Sequence, residues 1–591
     1  MATYKISTKE LSIASASAFK ESLSLADGRS TKNSTILYAL IGRNEEWTNE
    51  PTRDEIQTNI QNTEYDIKRK AVGAKKVDAG SVSHVVPRID WVSGTIYDMF
   101  RDSTEDMYDK NFYVITDELN VYKCLYNNKR SASTVKPTGF STLAFTTSDG
   151  YTWKYLYTVS LGDANKFLTS SFIPVDTLST ADGSVEGDRQ LAVQNAAVNG
   201  SIEVVEVNQV GSGYHSSEDI AISAGGKISL ILSTGGDSNP SSIDDFYNGS
   251  SVYIQSGTGA GQLRRIIDYN GSSRTLFVNT AFSTTPNTDS IAIISPSVTI
   301  IGDGSGAKAY ARVTGGEISN VSVIDTGSFY TEAKVRITAN SIHGTGATAN
   351  AIISPIGGHG SDAISELGAE RLMINVQLNG SEGVSANGNG YIPSNTEFRS
   401  VSLLRDPVLK VNSNNEAQSV ESIANTSNSP STLRLTTRAQ ISYVQIEDGE
   451  PVNPLVAGDV ITNERNRLRA ELGELEFVTE LGQSERINNS LTNAIQGANA
   501  QVAYIREDET ETDPSFYVAY LNSVLAYNGY AAFTKDDVVL KSTSETSVAT
   551  VEAIKGPEAN TYSGEIVFSE NIEVVTRDED QVEDIKIILD F

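Results

Sequence analysis

Acidic side chains are the commonest residues of this chain that could carry out chemistry. The 591-residue sequence contains 75 Asp and Glu, so paired carboxylates arise by number alone. Asp244/Asp245 in DDFY and Glu366/Glu370 in ISELGAERL are candidates for the two acids of a glycoside hydrolase. Solvated faces or turn caps explain both pairs more simply, and the sequence has no G-x-S-x-G nucleophile motif. We therefore predict no catalytic residue and expect the protein not to be an enzyme.

Histidine and cysteine offer little further chemistry. His84, His215, His343 and His359 are scattered, and none forms a close metal-binding pair. Cys124, the only cysteine, lies in VYKCLY, where it reads as a small strand residue. It would become a nucleophile only if folding placed a base such as His84 beside it. We predict no metal site and no disulfide.

Two glycine-rich segments invite comparison with phosphate-binding loops. GTGAGQ (257–262) and GDGSG (302–306) both lack the Gly-Lys-Ser/Thr ending that reaches phosphate and magnesium. Neither opens a convincing helix, so no helix dipole would face an anion. We predict turns between strands at both places and no cofactor.

Composition restricts the partners of the chain. The formal net charge of −29 would repel phosphate backbones, which argues against nucleic acid as a partner. The charge is explained by solubility or by a surface that meets basic partners, and composition leaves both open. No apolar run reaches the roughly 18 residues of a membrane span. The start, MATYKISTKELS, lacks a secretory pattern, so we expect assembly in a cytoplasm and no membrane partner.

Local patterns predict a β-rich chain with a few short helices. Many Gly, Asn and Ser mark turns, while Thr, Tyr and Val suit strands. We predict helices at 15–25 and at 52–71, the second with a capping box formed by Thr52 and Glu55. An apolar run at 34–42 and alternating segments within 85–160 predict strands. The fold class is therefore mainly β, with sandwich-like or barrel-like domains.

Aromatic residues alternate along one predicted strand. Tyr151, Trp153, Tyr155 and Tyr157 in YTWKYLY fall on one face. A sugar-binding groove is one interpretation of this face, and a core or subunit interface is the simpler one.

An internal repeat occupies residues 201–357. The segment IEVVEVNQVGSGY (202–214) matches ISNVSVIDTGSFY (318–330), and the segment GSGAKAYA (304–311) matches GTGATANA (344–351). The first pair is farther apart in sequence than the second, which predicts a separate module inserted in the first copy near 223–298. A second accessory region is predicted at 411–555, with a polar segment at its start and strands of a small barrel near its end.

Several segments, taken in order, resemble the baseplate wedge subunit known as gene product eight of T-even-like contractile-tail phages. They are ILYALIGRNEEW (36–47), VVPRIDW (85–91), VYKCL (121–125), DGYTWKYLYTV (149–159), FRSVSLLRDP (398–407), SGEIVFSENI (563–572) and DQVEDIKIILDF (580–591). The resemblance implies a family core of 1–200, completed by 358–410 and 556–591. Residues 201–357 and 411–555 would then be insertions into that core.

The resemblance also implies a function. A wedge subunit is a mainly β, non-enzymatic virion protein of the tail baseplate, assembled in the host cytoplasm. It pairs with itself, contacts other wedge proteins including the trimeric fibre-connecting subunit, and takes part in the rearrangement that triggers sheath contraction. Such a role requires subunit interfaces that can pack in two alternative arrangements.

Six residues within the matching segments are candidate interface residues. Arg and Trp are frequent interface anchors, and the set comprises Arg43, Trp47, Pro87, Arg88, Asp90 and Trp91. The alternative is that both tryptophans are core residues and that the Arg88–Asp90 pair fixes a turn. For the whole protein, the alternative function is a carbohydrate-binding or carbohydrate-degrading tail adhesin.

Overall fold

The protein is mainly β and multi-domain, as the sequence predicted. In the computed structural model, strands account for 47% of the described residues and helices for 12%. The structure describes residues 8–23, 35–43, 60–217, 219–234, 239–339, 344–379, 392, 396–411, 417–422, 430–464, 476–478, 484–486, 499–507, 511–524, 533–541, 546–560, 563–578 and 580–591.

The helices and strands are numbered in chain order. Those up to residue 200 are α1 (Lys9–Leu23), β1 (Leu37–Gly42), α2 (Ile60–Lys70), β2 (Ala71–Lys76), β3 (Val82–Pro87), β4 (Tyr113–Ile115), β5 (Asn120–Asn127), β6 (Phe145–Thr146), β7 (Tyr151–Thr158), α3 (Leu161–Phe167), β8 (Phe172–Val175) and α4 (Val185–Ala196). Those between 201 and 379 are β9 (Ile202–Gln209), β10 (Asp219–Gly225), β11 (Ser229–Leu232), β12 (Ser251–Ser256), β13 (Leu263–Asn270), β14 (Thr275–Val278), β15 (Ile291–Ser295), β16 (Ser297–Gly302), β17 (Lys308–Thr314), β18 (Glu317–Asp325), β19 (Ala333–Thr338), β20 (Thr348–Ile353), α5 (Ala363–Leu367) and β21 (Arg371–Asn379). The remainder are β22 (Glu397–Arg405), β23 (Leu409–Val411), β24 (Ala417–Ser422), β25 (Thr432–Arg434), β26 (Thr437–Tyr443), β27 (Ile446–Glu447), β28 (Glu450–Pro451), β29 (Val460–Asn463), β30 (Glu476–Val478), β31 (Ser484–Arg486), β32 (Asn499–Glu507), β33 (Phe516–Val524), β34 (Val538–Lys541), β35 (Ser547–Lys555), β36 (Glu565–Thr576) and β37 (Val582–Asp590).

The predicted local structure is partly confirmed. The first helix begins earlier than predicted, at Lys9, and the second is described from Ile60 to Lys70. Its predicted capping residues, Thr52 and Glu55, lie outside the described residues. Both glycine-rich segments connect strands, GTGAGQ between β12 and β13 and GDGSG between β16 and β17, as predicted. Part of the polar segment at the start of the predicted accessory region 411–555 is strand β24.

The chain divides into two compact units, each built from separate stretches of sequence. Unit 1 comprises 1–13 and 84–370, and unit 2 comprises 14–83 and 371–591. Compact units report how segments pack and not which segments are related, so the family core and insertions stay a prediction.

Unit 1 contains three sheets and one further strand pair. Strands β4-β5-β7-β6 form a four-stranded sheet, and β19-β16-β17-β18-β9-β20 form a six-stranded one. A closed barrel has the order β10-β11-β14-β13-β12-β15, and its strands overlap the module predicted near 223–298. Strand β3 pairs with β8. Tyr151, Trp153, Tyr155 and Tyr157 of β7 are all buried, so this aromatic face belongs to the core and not to a sugar groove.

The two copies of the sequence repeat exchange strands within the six-stranded sheet. Strand β9 of the first copy pairs with β20 of the second, and β17 of the first pairs with β18 of the second. The two halves meet where Val205 of β9 lies opposite Val321 of β18. Neither copy is therefore a separate folding unit.

A glycine and a tyrosine close each half of the repeat in the same way. The hydroxyl of Tyr214 accepts a hydrogen bond from the Ala347 N–H at 3.2 Å, and that of Tyr330 accepts one from Ala307 at 3.4 Å. Gly211 has φ 66°, and a Cβ there would lie 2.6 Å from the Ala347 nitrogen. Only glycine fits such a left-handed position against another backbone, which explains why the repeat keeps Gly and Tyr at matching offsets.

Unit 2 contains a five-stranded sheet, a second closed barrel and a long strand pair. The sheet has the order β25-β2-β1-β22-β36, and the barrel has the order β26-β33-β32-β29-β34-β35. Strand β37 pairs with β21 over nine residues, from Arg371↔Asp590 to Asn379↔Val582. Short hairpins form from β23 with β24, β27 with β28 and β30 with β31. The apolar core beneath β36 and β37 includes Leu372, Ile374, Phe398 and Leu403.

Candidate interaction surface

Three of the predicted interface residues make local contacts where β3 ends. The Arg88 guanidinium lies 2.9–3.1 Å from the Asp90 carboxylate and also donates to the Thr169 carbonyl at 3.0 Å. The Trp91 indole donates to the Ser133 hydroxyl at 3.1 Å, and its half-buried ring packs against the core of unit 1. These contacts fit the alternative in which the ion pair fixes a turn and Trp91 is a core residue.

The remaining predicted residues are distributed between the two units. Pro87 is exposed at the end of β3, and its carbonyl accepts a hydrogen bond from the Tyr113 hydroxyl at 2.7 Å. Arg43, in unit 2, donates to the Ala503 carbonyl at 2.9 Å. Trp47 lies outside the described residues. Four residues of the set thus belong to unit 1 and Arg43 to unit 2, and the set does not define one patch within either unit.

The candidate carboxylate pairs have separate structural roles. Asp244 accepts the Gly271 N–H at 2.8 Å, and Asp245 accepts an Asn248 side-chain N–H at 2.6 Å, so both are turn caps. Glu366 and Glu370 do not lie on a solvated face, because both are buried. Each has its own lysine partner, Lys123 for Glu366 and Lys9 for Glu370, which the sequence could not reveal across such separations.

The Lys123–Glu366 pair lies in a buried charged cluster within unit 1. Lys123 Nζ lies 2.8 Å from Glu366 Oε2, and the Gly360 N–H donates to Glu366 Oε1 at 2.6 Å. His359 Nδ1 is 3.8 Å from the same carboxylate, and the Lys123 ammonium sits 3.9 Å from the centre of the Phe100 ring. A second pair, Lys154 with Glu203 at 3.7 Å, is also largely buried. A lysine on the inward face of an apolar strand was the available sequence signal for this cluster.

Opposing effects set the pKa values in this cluster. Burial raises the pKa of Glu366, but Lys123 and His359 outweigh it and bring the value to about 2. Burial lowers the pKa of Lys123 and outweighs the attraction of Glu366. The lowered pKa of Glu366 favours an ionised pair, whereas the lowered pKa of Lys123 favours a neutral lysine. The 2.8 Å contact between Lys123 and Glu366, together with the second donor on the carboxylate, favours the ionised form of the pair at neutral pH. Burial and Lys123 both lower the pKa of His359, so its ring is neutral there.

Cys124 is buried and is not a reactive thiol. Its side chain lies in the core of unit 1, and burial raises its pKa well above the ordinary value. His84, proposed as a base for it, directs Nδ1 to the Ala369 carbonyl at 2.9 Å.

Strand β36 is the most exposed long strand in unit 2. Its twelve residues are all at least partly exposed, and it forms the end of its sheet, with β22 as its partner among the described strands. Strand β37 likewise ends its sheet beside β21. Valines remain open on both strands, Val567 at 37%, Val574 at 46% and Val582 at 57% exposed. Exposed sheet edges of this length present unpaired backbone groups to other chains.

An apolar groove lies between β36 and β37. Its volume is about 260 Å³. The apolar side chains that line it are Phe398, Val401, Phe568, Ile572, Val575, Ile585 and Ile587, and the polar ones are Glu570, Glu583, Asp584 and Lys586. We call this groove, with the exposed side chains of β36 and β37, the C-terminal surface.

A buried arginine fixes the connection between the two strands of the C-terminal surface. Arg577, directly after β36, donates to the Glu583 carboxylate of β37 at 3.2 Å. It also donates to the carbonyls of Ile392 at 3.2 Å and Asn379 at 2.7 Å. Such a fully buried, multiply bonded guanidinium holds its neighbours in one geometry. Arg577 therefore supports the end of the groove where β36 leads into β37.

A polar groove lies in unit 1 beside β16 and β19. Its volume is about 560 Å³, and Asp102, Asp303, Glu332 and Lys334 are among its lining residues. Hydrogen bonds from Thr331 and Glu332 lower the pKa of Asp303, whereas burial raises that of Asp102. Among the described residues, no group of three or more His, Cys, Asp or Glu side chains could hold a metal ion. The groove therefore offers hydrogen bonds and carboxylates to a polar ligand.

Comparisons with known proteins identify no family, so the class of this protein is defined by its fold alone. The chain matches no protein-family profile and no curated protein. No helix in the described part of the chain combines the length and apolar character needed to cross a membrane. The class is accordingly a mainly β, multi-domain protein with an exposed apolar surface at its C-terminal strands.

Proposed function

We propose that the protein is a structural subunit of a contractile-tail baseplate wedge in a phage virion. It pairs with itself, joins neighbouring wedge proteins including a trimeric fibre-connecting subunit, and takes part in the rearrangement that triggers sheath contraction. The proposal rests on the ordered sequence segments that resemble this family. It assigns no reaction and no cofactor to the chain.

The observation that carries the proposal is where the C-terminal surface lies in the sequence. Strand β36 falls largely within SGEIVFSENI and β37 within DQVEDIKIILDF, two of the segments that resemble the wedge subunit. These strands expose apolar side chains at a sheet edge and frame an apolar groove. Contiguous exposed apolar surface of this kind is typical of protein–protein contact sites.

The interior of unit 1 supports a mechanical role. Ion pairs buried in its core, Lys123 with Glu366 above all, have strict geometric demands, so they favour one packing over its competitors. A part that passes force between neighbours must move as a rigid body while its interfaces change. A rigid interior, together with a sheet edge that exposes apolar side chains, suits that requirement.

Cross-linking mass spectrometry on intact virions that contain the protein tests the proposal. We expect links from 1–160 to a second copy, and links from 1–160 and 556–591 to other wedge proteins. Light scattering on the purified chain should give the mass of a dimer. A chain that is monomeric in solution and linked only to fibre or tip proteins in virions would refute the wedge assignment.

A tail adhesin is the second candidate function. Tyr253 of β12 and Tyr310 of β17 stack at 4.7 Å between ring centres and are half-exposed, and Arg312 lies beside them. Aromatic side chains with exposed faces can stack on sugar rings. A glycan array distinguishes the two functions: binding that is lost in Tyr253→Ala/Tyr310→Ala would favour the adhesin, and no binding by the parent protein would favour the wedge subunit.

A further inference from the structure

We infer that the C-terminal surface binds a segment of a partner protein that carries one large apolar side chain flanked by lysine or arginine. This inference deepens the proposed function and rests on it, since it specifies the chemistry of one neighbour. The apolar side chain fills the groove between β36 and β37, and the basic residues meet carboxylates at its rim. Its basis is the shape of the groove and the sign of its charge.

The groove fits an apolar anchor in size and lining. Its volume of about 260 Å³ offers room for one large aromatic or aliphatic side chain. Phe568, Ile572 and Val575 of β36 line it opposite Ile585 and Ile587 of β37. Filling it removes these side chains from water, the dominant favourable contribution in most protein association. Anchors of this type, seated in preformed pockets, carry most of the binding energy of many interfaces.

The charged residues around the groove favour a basic partner. Strand β36 contains three glutamates and no lysine or arginine, and Glu570 and Glu573 are exposed. On β37, Asp584 is exposed, and the one cation at the rim, Lys586, is already in contact with that carboxylate. The chain as a whole carries a net charge of −29. Complementary charge selects partners and accelerates their association.

The same residues disfavour a second copy of this chain as the occupant. Two copies of β36 would bring their glutamates close together, and like charges across a strand pair are destabilising. The pairing of β36 with β22 also shifts register between Phe398 and Ser400 and again between Leu403 and Leu404. Bulges and charges of this kind protect sheet edges from pairing with their own copies. The C-terminal surface therefore disfavours pairing with a second copy of itself and favours a basic segment.

Binding of designed peptides to the full-length chain tests the inference. The probe is a labelled, acetylated nonapeptide in which four lysines alternate with serines around a central tryptophan. One matched peptide has serine in place of tryptophan, and another has glutamate in place of each lysine. We expect fluorescence anisotropy to detect binding of the first peptide alone, weakening as salt screens the charges. Hydrogen exchange should show new protection in 565–590. Equal binding of the glutamate peptide, or protection elsewhere, would overturn the inference.

Charge-reversed variants provide the second arm of the experiment. Glu570→Lys/Glu573→Lys should weaken binding of the lysine peptide about tenfold, from the loss of two complementary charges, one lining the groove and one exposed on the same strand. Glu447→Lys/Glu450→Lys, on an exposed hairpin of the same unit, changes the net charge equally and should leave binding unaltered. Equal weakening in both variants would reduce the effect to overall charge and overturn the inference.

The outcomes separate this inference from the proposed function. If the amides of β36 and β37 that do not bond to β22 or β21 are already protected in the chain without peptide, another segment or a second copy covers the surface and the inference is wrong. A chain that cross-links to wedge proteins in virions but ignores the lysine peptide would contradict the inference and leave the proposed function intact. A chain that binds the lysine peptide but makes no contacts with wedge proteins in virions would support the binding surface and contradict the proposed function.

Discussion

Replacing Glu366 by glutamine removes the carboxylate at the centre of the buried cluster in unit 1 and should destabilise that unit by about 3 kcal/mol. Its pKa of about 2, against an ordinary 4.5, corresponds to about 3 kcal/mol of interaction favouring the charged form. Breaking a buried ion pair from one side costs roughly 3–5 kcal/mol, because the other charge stays buried without its partner. The two estimates agree, and the ammonium left behind is that of Lys123.

The pH dependence of stability gives a second measure of the same interaction. The folded-state pKa of Glu366 lies below its ordinary value, so its contribution is fully present above about pH 4.5 and is lost as the pH falls toward 2. The parent protein should therefore lose more stability over that window than Glu366→Gln does. The sign follows because the unfolded state binds a proton at higher pH than the folded state.

Urea unfolding followed by tryptophan fluorescence measures this change. In a Trp47→Phe background the remaining tryptophans, Trp91 and Trp153, both belong to unit 1 and report its unfolding. The control is Glu118→Gln, which weakens an exposed pair with Lys136 and should lower stability far less than Glu366→Gln does. Equal midpoints for Glu366→Gln and the parent, with unchanged slopes, would refute the reasoning.

The double variant Lys123→Met/Glu366→Leu separates loss of the pair from loss of packing. Replacing both charges by apolar side chains of similar volume removes the unpaired charge, and such replacements are often neutral or stabilising. We expect it to recover most of the stability lost in Glu366→Gln. A double variant as unstable as the single one would show that the cavity, and not the unpaired charge, accounts for the loss.

Three further predictions follow from the same structure. Gly211→Ala should lower the midpoint of thermal unfolding, because its Cβ would lie 2.6 Å from the Ala347 nitrogen, whereas Gly315→Ala has a similar φ and open space and should cost much less; equal shifts would contradict the packing argument. Cys124 should react with a thiol reagent only after unfolding, since burial both shields it and raises its pKa; rapid labelling of the native chain would contradict this. Replacing 219–295 by a short Gly/Ser linker should leave a soluble, folded protein by circular dichroism, because the barrel it removes closes on itself; insolubility would show that the barrel supports its host sheet.

Local patterns in the sequence predicted much of the secondary structure. Alternation in YTWKYLY and VYKCLY identified β7 and β5, because the side-chain period of a strand is visible within one segment. Two of the segments that resemble the wedge subunit, SGEIVFSENI and DQVEDIKIILDF, contain most of β36 and β37. The repeat identified residues that the fold uses at equivalent places, Tyr214 and Tyr330.

Contacts between distant segments could not be predicted in the same way. Lys123 and Glu366 are 243 positions apart, and no local pattern links them. The groove of the C-terminal surface combines Phe398 with Ile587, from strands whose pairing depends on the whole of unit 2. The strand exchange in the repeat was also hidden, because matching motifs indicate equivalence and not which copy pairs with which.

The strand exchange in the repeat has a consequence for how the chain is made. The six-stranded sheet cannot be completed until β20 has emerged from the ribosome to meet β9, which was synthesised long before. The barrel lies between them and joins its own first and last strands, Asp219 opposite Ile293. If it folds as soon as it is synthesised, it shortens the chain that must close to bring the two edges together. The chain has a single cysteine and so cannot form an internal disulfide. The nested barrel instead brings the segments of the six-stranded sheet on either side of it close together.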